Sequence, residues 1–244
     1  MLFYHLGKYV LLMKASLKRP EKWSFYWKEI IREMVSIGVG SVGIISIISI
    51  FMGAVTTVQT AFQLVSNLIP LSVIGQITRD NSILELSPTI GALVLAGKTG
   101  SNIASQIGTM RVTEQIDALE VMGVNSPGYL ILPKIIAGIT MIPMLVIVSV
   151  FLSILGGMIA GNLSGAVTQS EYITGLQADF KTILLTAGMV KAIVYAFIIT
   201  SVSSYQGFYT EGGALEVGES STRAVVVSCI LILFADYIIA QLLL

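Results

Sequence analysis

Charged residues are scarce in this chain: Asp, Glu, Lys and Arg make up 11% of its 244 residues, whereas hydrophobic residues make up 55%. In a soluble domain about a quarter of the residues are charged. The composition therefore excludes an ordinary soluble protein and predicts an all-α integral membrane protein, without room for a separate soluble domain. The fourteen basic and fourteen acidic residues cancel, so the net charge gives no indication of a nucleic-acid partner.

Cysteine and histidine are almost absent. Cys229 is the single cysteine and His5 the single histidine, which excludes an internal disulfide and the His-based metal motifs of proteases. The sequence also lacks a paired-aspartate or serine-based catalytic set. We therefore expect neither an enzyme nor a metal site in this chain.

The uncharged runs are long enough to cross a membrane, which takes about 20 apolar residues per helix. Residues 34–78 carry no charge and are long enough for two spans. Asn67, Pro70 and Gln76 favour one span there, followed by a partly embedded loop or short helix, and a sixth span is the alternative. We predict about five transmembrane helices, near residues 38–64, 87–108, 135–160, 182–203 and 223–243.

Basic residues are concentrated before the first span. Residues 1–33 hold seven of the fourteen Lys and Arg residues, and segments rich in these residues stay on the cytoplasmic side. We predict a cytoplasmic or interfacial amphipathic segment at 1–33 and a transmembrane domain at 34–244, with the N-terminus cytoplasmic and the C-terminus on the outer side. The segment WSFYWKEIIREM, residues 23–34, is typical of a helix lying in the headgroup region; a solvated leader is the alternative.

The segment ALVLAGKT, residues 92–99, matches a loose P-loop pattern. A P-loop is a glycine-rich turn with free backbone N–H groups, whereas the four residues between Ala92 and Gly97 are apolar or small. We therefore predict a helix that binds no nucleotide. Small residues recur there at every fourth position, a ridge typical of close helix packing in lipid: Ala92, Ala96, Gly100, Ala104 and Gly108.

Lys98 lies in the middle of this predicted span. A charge at that depth costs at least about 2.5 kcal/mol on insertion scales and is tolerated where it is paired or hydrated. Glu85, just before Pro88, is the candidate partner or a second polar wall of the same cavity. Snorkelling of Lys98 to the interface is the alternative.

The segment GTMRVTEQIDALEVMG, residues 108–123, predicts a short amphipathic helix that ends at Gly123. Its apolar side is formed by Val112, Ile116 and Leu119, and its polar side by Thr113, Asp117 and Glu120, with Arg111 and Glu114 beside them. Because the polar side is acidic, an anionic membrane surface is a poor partner. We predict a helix presented to a cytoplasmic partner.

Three motifs together resemble the signature of the MlaE/YrbE family, the permease subunits of MCE-type ABC lipid transporters. They are ELSP at 85–88, AGKTGS at 96–101 and GTMRVTEQIDALEVMG at 108–123. The similarity extends over about residues 20–244 and includes FMG at 51–53 and STR at 221–223.

The resemblance implies a homodimeric permease in the bacterial inner membrane. It implies a separate cytoplasmic ABC ATPase subunit that binds ATP and Mg, so that this chain itself has no cofactor. It also implies that phospholipid passes to or from a periplasmic MCE-domain protein, which maintains outer-membrane lipid asymmetry. A channel or secondary transporter acting without an ATPase is the alternative, although such proteins more often show inverted repeats or several intramembrane charges.

The resemblance also implies two sets of functional residues. The helix matching 109–122 is the coupling helix, expected to contact the ATPase through Arg111, Thr113, Glu114 and Asp117. A lipid cavity is expected between the two copies, with Glu85 at its outer mouth unless this carboxylate merely caps a helix starting near Pro88. The expected lipid-binding residues are Thr56, Gln59, Leu64, Glu85 and Lys98. The family commonly has arginine at Lys98, and some members have arginine at Leu84, so the pocket chemistry of this chain differs.

Overall fold

The computed structural model describes residues 2–17, 23–64 and 70–243, and over these residues it contains helices and no strand. Four helices are long and apolar enough to cross a membrane: Tyr26–Gln63, Ser126–Leu163, Thr182–Phe208 and Ala214–Leu243. The prediction of an all-α integral membrane protein is therefore confirmed. These helices contain the predicted spans near residues 38–64, 135–160, 182–203 and 223–243, except for Leu64, which follows the first helix.

Two helices precede the bundle. Helix α1 (Leu2–Ser16) packs against the bundle, where the Tyr9 hydroxyl donates to Ser201 Oγ at 2.8 Å. Helix α2 (Trp23–Met34) continues through the π-helical turn Val35–Val39 into α3 (Gly40–Gln63). The helix is continuous across residue 33, so its secondary structure marks no boundary there. The division into an interfacial segment and a transmembrane domain stays a prediction. Lys22, which belongs to the predicted interfacial segment, and the side chains of Trp23 and Phe25 lie outside the described part.

The predicted span at 87–108 lies in one long helical run from Ser72 to Val112. It consists of α4 (Ser72–Asn81), the π-helical segment Ser82–Ile90, α5 (Gly91–Leu95), the π-helical turn Ala96–Gly100 and α6 (Ser101–Val112). This run is more polar than the four apolar helices and is not among the candidate spans. The short helix expected after the first span is α4, while Asn67 lies outside the described residues.

The run nevertheless extends from one end of the bundle to the other. It begins with α4 beside α9 (Gln169–Gln177), which follows the C-terminal end of α8 (Ser126–Leu163). It leads into α7 (Gln115–Val121), whose Ile116 packs with Leu130 and Ile131 near the N-terminal end of α8. The run therefore traverses the bundle alongside the two long helices that follow, α10 (Thr182–Phe208) and α11 (Ala214–Leu243).

The predicted small-residue ridge is confirmed. Ala92, Ala96 and Ala104 are at most 1% exposed, and Gly100 and Gly108 are buried. The ridge faces α10, and a Cβ added to Gly100 would lie 2.9 Å from Ser203 Oγ. The residues that imitate a P-loop therefore lie in the middle of a helical run whose small-residue face is packed.

The α3 and α8 helices approach each other at backbone distance. A Cβ on Gly53 would lie 1.8 Å from the Ser153 carbonyl oxygen, and one on Gly156 would lie 2.2 Å from that of Ile50. Such an approach is possible because glycine has no side chain, and it is the packing that helices use in lipid.

A smaller contact of the same kind closes one end of the bundle. Helix α9 begins with a capping box, in which Thr168 bonds the Glu171 backbone N–H and the Glu171 carboxylate bonds Thr168. The hydrogen bonds from the Thr168 hydroxyl and N–H lower the pKa of Glu171 below its usual value. The Gly175 Cα then packs on α4, where a Cβ would lie 1.8 Å from the Ser72 carbonyl oxygen.

We predict that Gly53→Ala lowers the thermal unfolding midpoint of the purified protein. The added methyl group must push α3 away from α8, and such overpacking typically costs about 1–3 kcal/mol. Gly43→Ala is the matched control, because Gly43 lies on the same helix with nothing within 4 Å of its added Cβ. Equal midpoints for the two variants would contradict the backbone contact.

We also predict that the purified chain binds no ATP. The backbone N–H groups around Lys98 are engaged in a helix, so they are not free to cradle a phosphate. Isothermal titration with Mg-ATP checks this, and Lys98→Ala is the diagnostic variant. A measurable affinity that disappears in this variant would show that the segment is a nucleotide site after all.

Candidate functional site

Glu85 is paired, but its partner is Lys191 and not Lys98. The Lys191 ammonium donates to Glu85 Oε1 at 2.8 Å and lies 2.6 Å from Asp236 Oδ1. The predicted pairing of Glu85 with Lys98 is therefore wrong. The physical reason is distance: these two residues are thirteen positions apart on one helical run, which corresponds to roughly 20 Å at 1.5 Å per residue.

Two hydroxyl groups complete this arrangement. The Tyr195 hydroxyl donates to Asp236 Oδ1 at 2.7 Å, and the Thr89 hydroxyl lies 3.4 Å from Glu85 Oε2. Lys191 and Tyr195 are fully buried, whereas the Asp236 side chain is 19% exposed and that of Glu85 is 48% exposed. We call these five residues the charged cluster: Glu85, Thr89, Lys191, Tyr195 and Asp236. The cluster is accessible from the side of Glu85.

A glycine and a backbone carbonyl bring α10 close to the helical run. Pro88 lies inside the π-helical segment and has no N–H to donate to the preceding turn. The Leu84 carbonyl accepts a hydrogen bond from Lys191 at 3.1 Å. One turn before Lys191, Gly188 lies so close to the run that a Cβ would be 2.6 Å from the Ile83 carbonyl oxygen. The helix is continuous through Glu85, so the alternative that this carboxylate caps a helix start is wrong.

An apolar cavity lies beside the charged cluster. Its volume is about 410 Å³, and its lining is formed by apolar side chains and one glycine from the helical run, α8 and α10. Ile83 and Gly188 belong to this lining and lie two and three residues before Glu85 and Lys191. The lining residues are Ile83, Val146, Ile147, Val150, Phe151, Ile154, Leu185, Gly188 and Met189. The cavity and the charged cluster therefore share the helical run and α10, whereas α8 lines only the cavity and α11 contributes only to the cluster.

Lys98 has a different environment. Its ammonium donates to the Gly40 carbonyl at the start of α3 and to Ser41 Oγ at 3.3 Å, and the residue is exposed in the chain. Lys98 therefore joins the helical run to α3, at the end of the π-helical turn Val35–Val39. The expectation of an acidic partner is not met, because its partners are a backbone carbonyl and a hydroxyl.

The contacts of the three predicted lipid-binding residues of the first span do not include the charged cluster. The Thr56 hydroxyl donates to the Met52 carbonyl of its own helix at 2.8 Å, and Leu64 packs against a small apolar core that includes Tyr172. Gln59 is exposed and lines a shallow groove of about 520 Å³ with apolar residues of α3 and Ala160 of α8. The lining of this groove includes neither Glu85 nor Lys98.

The predicted coupling helix is divided into two pieces. Helix α6 ends at Val112 and α7 begins at Gln115, because Glu114 adopts a left-handed conformation with φ 59°. The prediction of one helix over 109–122 is wrong in this respect. Arg111 pairs with Asp117 across the break at 2.7 Å, and Gly123 ends α7 with φ +78°, as predicted.

The predicted division between a buried and an exposed face holds for α7. Ile116 is fully buried, and Leu119 packs with it against the bundle. Thr113, Glu114 and Asp117 are exposed. A partner protein therefore has access to polar groups on a segment that is attached to the bundle by apolar contacts.

Sequence reasoning missed the charged cluster, although each of its charges was visible. Lys191 and Asp236 each interrupt a predicted span, and Glu85 lies two residues before one. The cost of burying these three charges separately could have indicated that they pair, since charges inside the membrane usually pair with one another.

Comparison with known proteins finds similar ABC transporter permeases. Residues 30–242 match the family model "Permease MlaE". A probable ABC transporter permease protein of Rickettsia bellii is 36% identical over 97% of this chain and 91% of its own length. One of Synechocystis is 33% identical over 87% of this chain and 80% of its own. The chloroplastic protein TRIGALACTOSYLDIACYLGLYCEROL 1 of Arabidopsis thaliana is 30% identical over 90% and 63%.

The match of the family model covers most of the chain, including the helical run, the segment before and after Glu114, and all three helices of the charged cluster. The Rickettsia relative extends the similarity to nearly the whole chain. The chain therefore belongs to the MlaE family of ABC transporter permeases.

Proposed function

We propose that this permease moves phospholipid between the bacterial inner membrane and a periplasmic MCE-domain protein, and so maintains outer-membrane lipid asymmetry. The observation that carries the proposal is the apolar cavity of about 410 Å³ next to the charged cluster. A phospholipid needs an apolar cavity joined to a few polar groups at one end. One relative, from Arabidopsis, is named after a diacylglycerol lipid.

The charges of this chain do not favour a channel or a secondary transporter. Lys191 is locked between two carboxylates, and Lys98 is bound to the first span. Mobile ion pathways instead use charges that line a water-filled route. The ABC permease family also implies an ATPase partner, on which we place the binding of ATP and Mg and the hydrolysis step.

We place the ATPase on the segment around Glu114. Its polar groups Arg111, Thr113, Glu114 and Asp117 are exposed or partly exposed, and Ile116 anchors it to the bundle. Val121 and Met122 at its end are 90% and 68% exposed. Charged groups flanking exposed apolar side chains are suited to docking into a groove of a partner protein.

We further propose that the permease works as a homodimer with a cytoplasmic N-terminus and a periplasmic C-terminus. The basic N-terminal segment supports this orientation. Helix α3 carries exposed apolar side chains, among them Phe62 and Val55 at 79% and 55% exposure. In a dimer, the groove around Gln59 faces the central cavity, together with Thr56 and Leu64, and this cavity opens toward the MCE protein.

We predict that Glu114→Lys weakens ATPase binding and uncouples ATP hydrolysis from transport without unfolding the protein. The reversed charge faces the proposed partner, and Glu114 is exposed in the chain, so the substitution leaves the core unchanged. Co-purification of the ATPase and lipid transport in proteoliposomes measure both effects. Gln177→Lys on α9 is the control, an exposed residue at the opposite end of the bundle. If Glu114→Lys assembles and transports normally, the ATPase docks elsewhere.

A second prediction concerns the lipid. A photocrosslinking amino acid at Leu185, in the cavity lining, or at Gln59, in the groove, should capture phospholipid specifically. Phe234 and Tyr237 on α11 are the control positions, since they are 63% and 66% exposed and should label bulk bilayer alone. Competition with excess unlabelled phospholipid distinguishes the two kinds of labelling. Equal, non-competable labelling at all four positions would argue against both lipid sites.

A further inference from the structure

The hydrogen-bonding capacity of the charged cluster is asymmetric. Lys191 has three N–H donors, and all three are used, by the Leu84 carbonyl, Glu85 Oε1 and Asp236 Oδ1. The Tyr195 hydroxyl donates to Asp236 and the Thr89 hydroxyl to Glu85. The cluster therefore has no donor left for a ligand.

Acceptors, in contrast, remain available. Glu85 Oε2 has one weak contact, to Thr89 at 3.4 Å, and its side chain is 48% exposed. A carboxylate oxygen can accept about two hydrogen bonds. Asp236 uses Oδ1 for both of its contacts, which leaves Oδ2 as a further acceptor.

The charge of the cluster has the same asymmetry. Two carboxyl groups face one ammonium, so the cluster has one more acidic than basic group between helices of a membrane domain. Ionisable groups in such a place usually pair with one another, and a cationic donor would pair with the acidic group in excess and use the free acceptors.

From this geometry we propose that the charged cluster binds the primary ammonium group of an ethanolamine-type phospholipid. The inference rests on the proposed function, because it assumes that the neighbouring cavity takes an acyl chain. A primary ammonium offers three N–H donors and a positive charge to Glu85 Oε2. Choline offers the charge without a donor, and glycerol headgroups offer hydroxyl donors without the charge.

A phosphate is a poor ligand for the same cluster. It needs donors or cations, and the cluster's own cation is saturated by Glu85, Asp236 and Leu84. Lys98 does not supply the missing cation, because it lies roughly 20 Å along the run from Glu85. One headgroup therefore does not reach both residues, and Lys98 is not part of this site.

The test uses the full chain in nanodiscs and phospholipids that share the same acyl chains and the same acyl photolabel. Their headgroups are ethanolamine, its mono- and dimethylated forms, choline and glycerol. We expect labelling of cavity peptides by the ethanolamine lipid to exceed that by the choline lipid at least about tenfold, as for a charged hydrogen bond. The yield should fall with each methyl group, since each one removes a donor. Equal labelling by the ethanolamine and choline lipids, or stronger labelling by the glycerol lipid, would overturn the assignment.

Glu85→Gln tests the same point on the protein. The amide keeps the shape of the side chain but removes its charge, so the ethanolamine preference should be lost. Glu219→Gln is the matched control: it removes an exposed carboxylate whose partner is Arg223, and it should retain the preference. If Glu85→Gln does not fold, the methylation series on the unsubstituted chain decides the question alone.

The outcome also separates this inference from the proposed function. Transport of phospholipid by the assembled transporter without any headgroup preference at the cluster would overturn the inference and leave the proposed function intact. A clear ethanolamine preference in nanodiscs, without transport of any phospholipid by the assembled transporter, would support the ammonium site and overturn the proposed function.

Discussion

The membrane domain depends on how one buried ammonium group is neutralised. Lys191 is fully buried on α10, and an uncompensated charge there would cost several kcal/mol. Its three contacts come from two other elements: the π-helical segment supplies Leu84 and Glu85, and α11 supplies Asp236. Satisfying one side chain therefore joins three helices at one height in the bundle. Removal of either carboxylate would leave one N–H donor of Lys191 without its acceptor, so the positions of these helices are interdependent.

Such short polar contacts require close backbones. The approach of α10 to the run depends on Gly188 against Ile83, and the approach further along depends on Gly207 against Ala104, where a Cβ would lie 2.6 Å from each carbonyl oxygen. Lipid provides little hydrophobic driving force between helices, so packing of small residues and polar contacts must hold them together. In this chain, glycine contacts and polar contacts alternate along the interface between α10 and the run. The glycines let the two helices come close enough for the polar contacts, and the polar contacts keep the helices close.

Local patterns predicted much of this architecture, because they act within one helix. The period of Ala92, Ala96, Gly100, Ala104 and Gly108 was sufficient to predict a packed ridge. The apolar spacing of Ile116 and Leu119 likewise identified the anchored face of α7, and Gly123 its end. These features depend on residues three or four positions apart, for which helix geometry gives the neighbours directly.

Contacts between distant helices were not predictable in the same way. Glu85 and Lys98 share one predicted span, which suggested a pair, but the register between helices decides that Lys191 reaches Glu85. Pro88 contributed to the wrong pairing of Glu85, because proline suggested that a helix starts there, whereas the chain continues through Pro88 as a π-helix. The break at Glu114 was missed because its residue type is compatible with a helix, and the left-handed φ follows from the tertiary position of α7.

The break at Glu114 has a mechanical consequence. If α6 and α7 formed one continuous helix, a displacement of its C-terminal end would be transmitted directly to the small-residue ridge. Here α7 is a separate short helix. It is connected to α6 by the two residues Thr113 and Glu114 and by the ion pair between Arg111 and Asp117 at 2.7 Å. The Arg111–Asp117 pair is partly exposed, and such pairs contribute little, whereas Ile116 is fully buried among residues of α6 and α8. A displacement of α7 is therefore shared between α6 and α8 through the packing of Ile116.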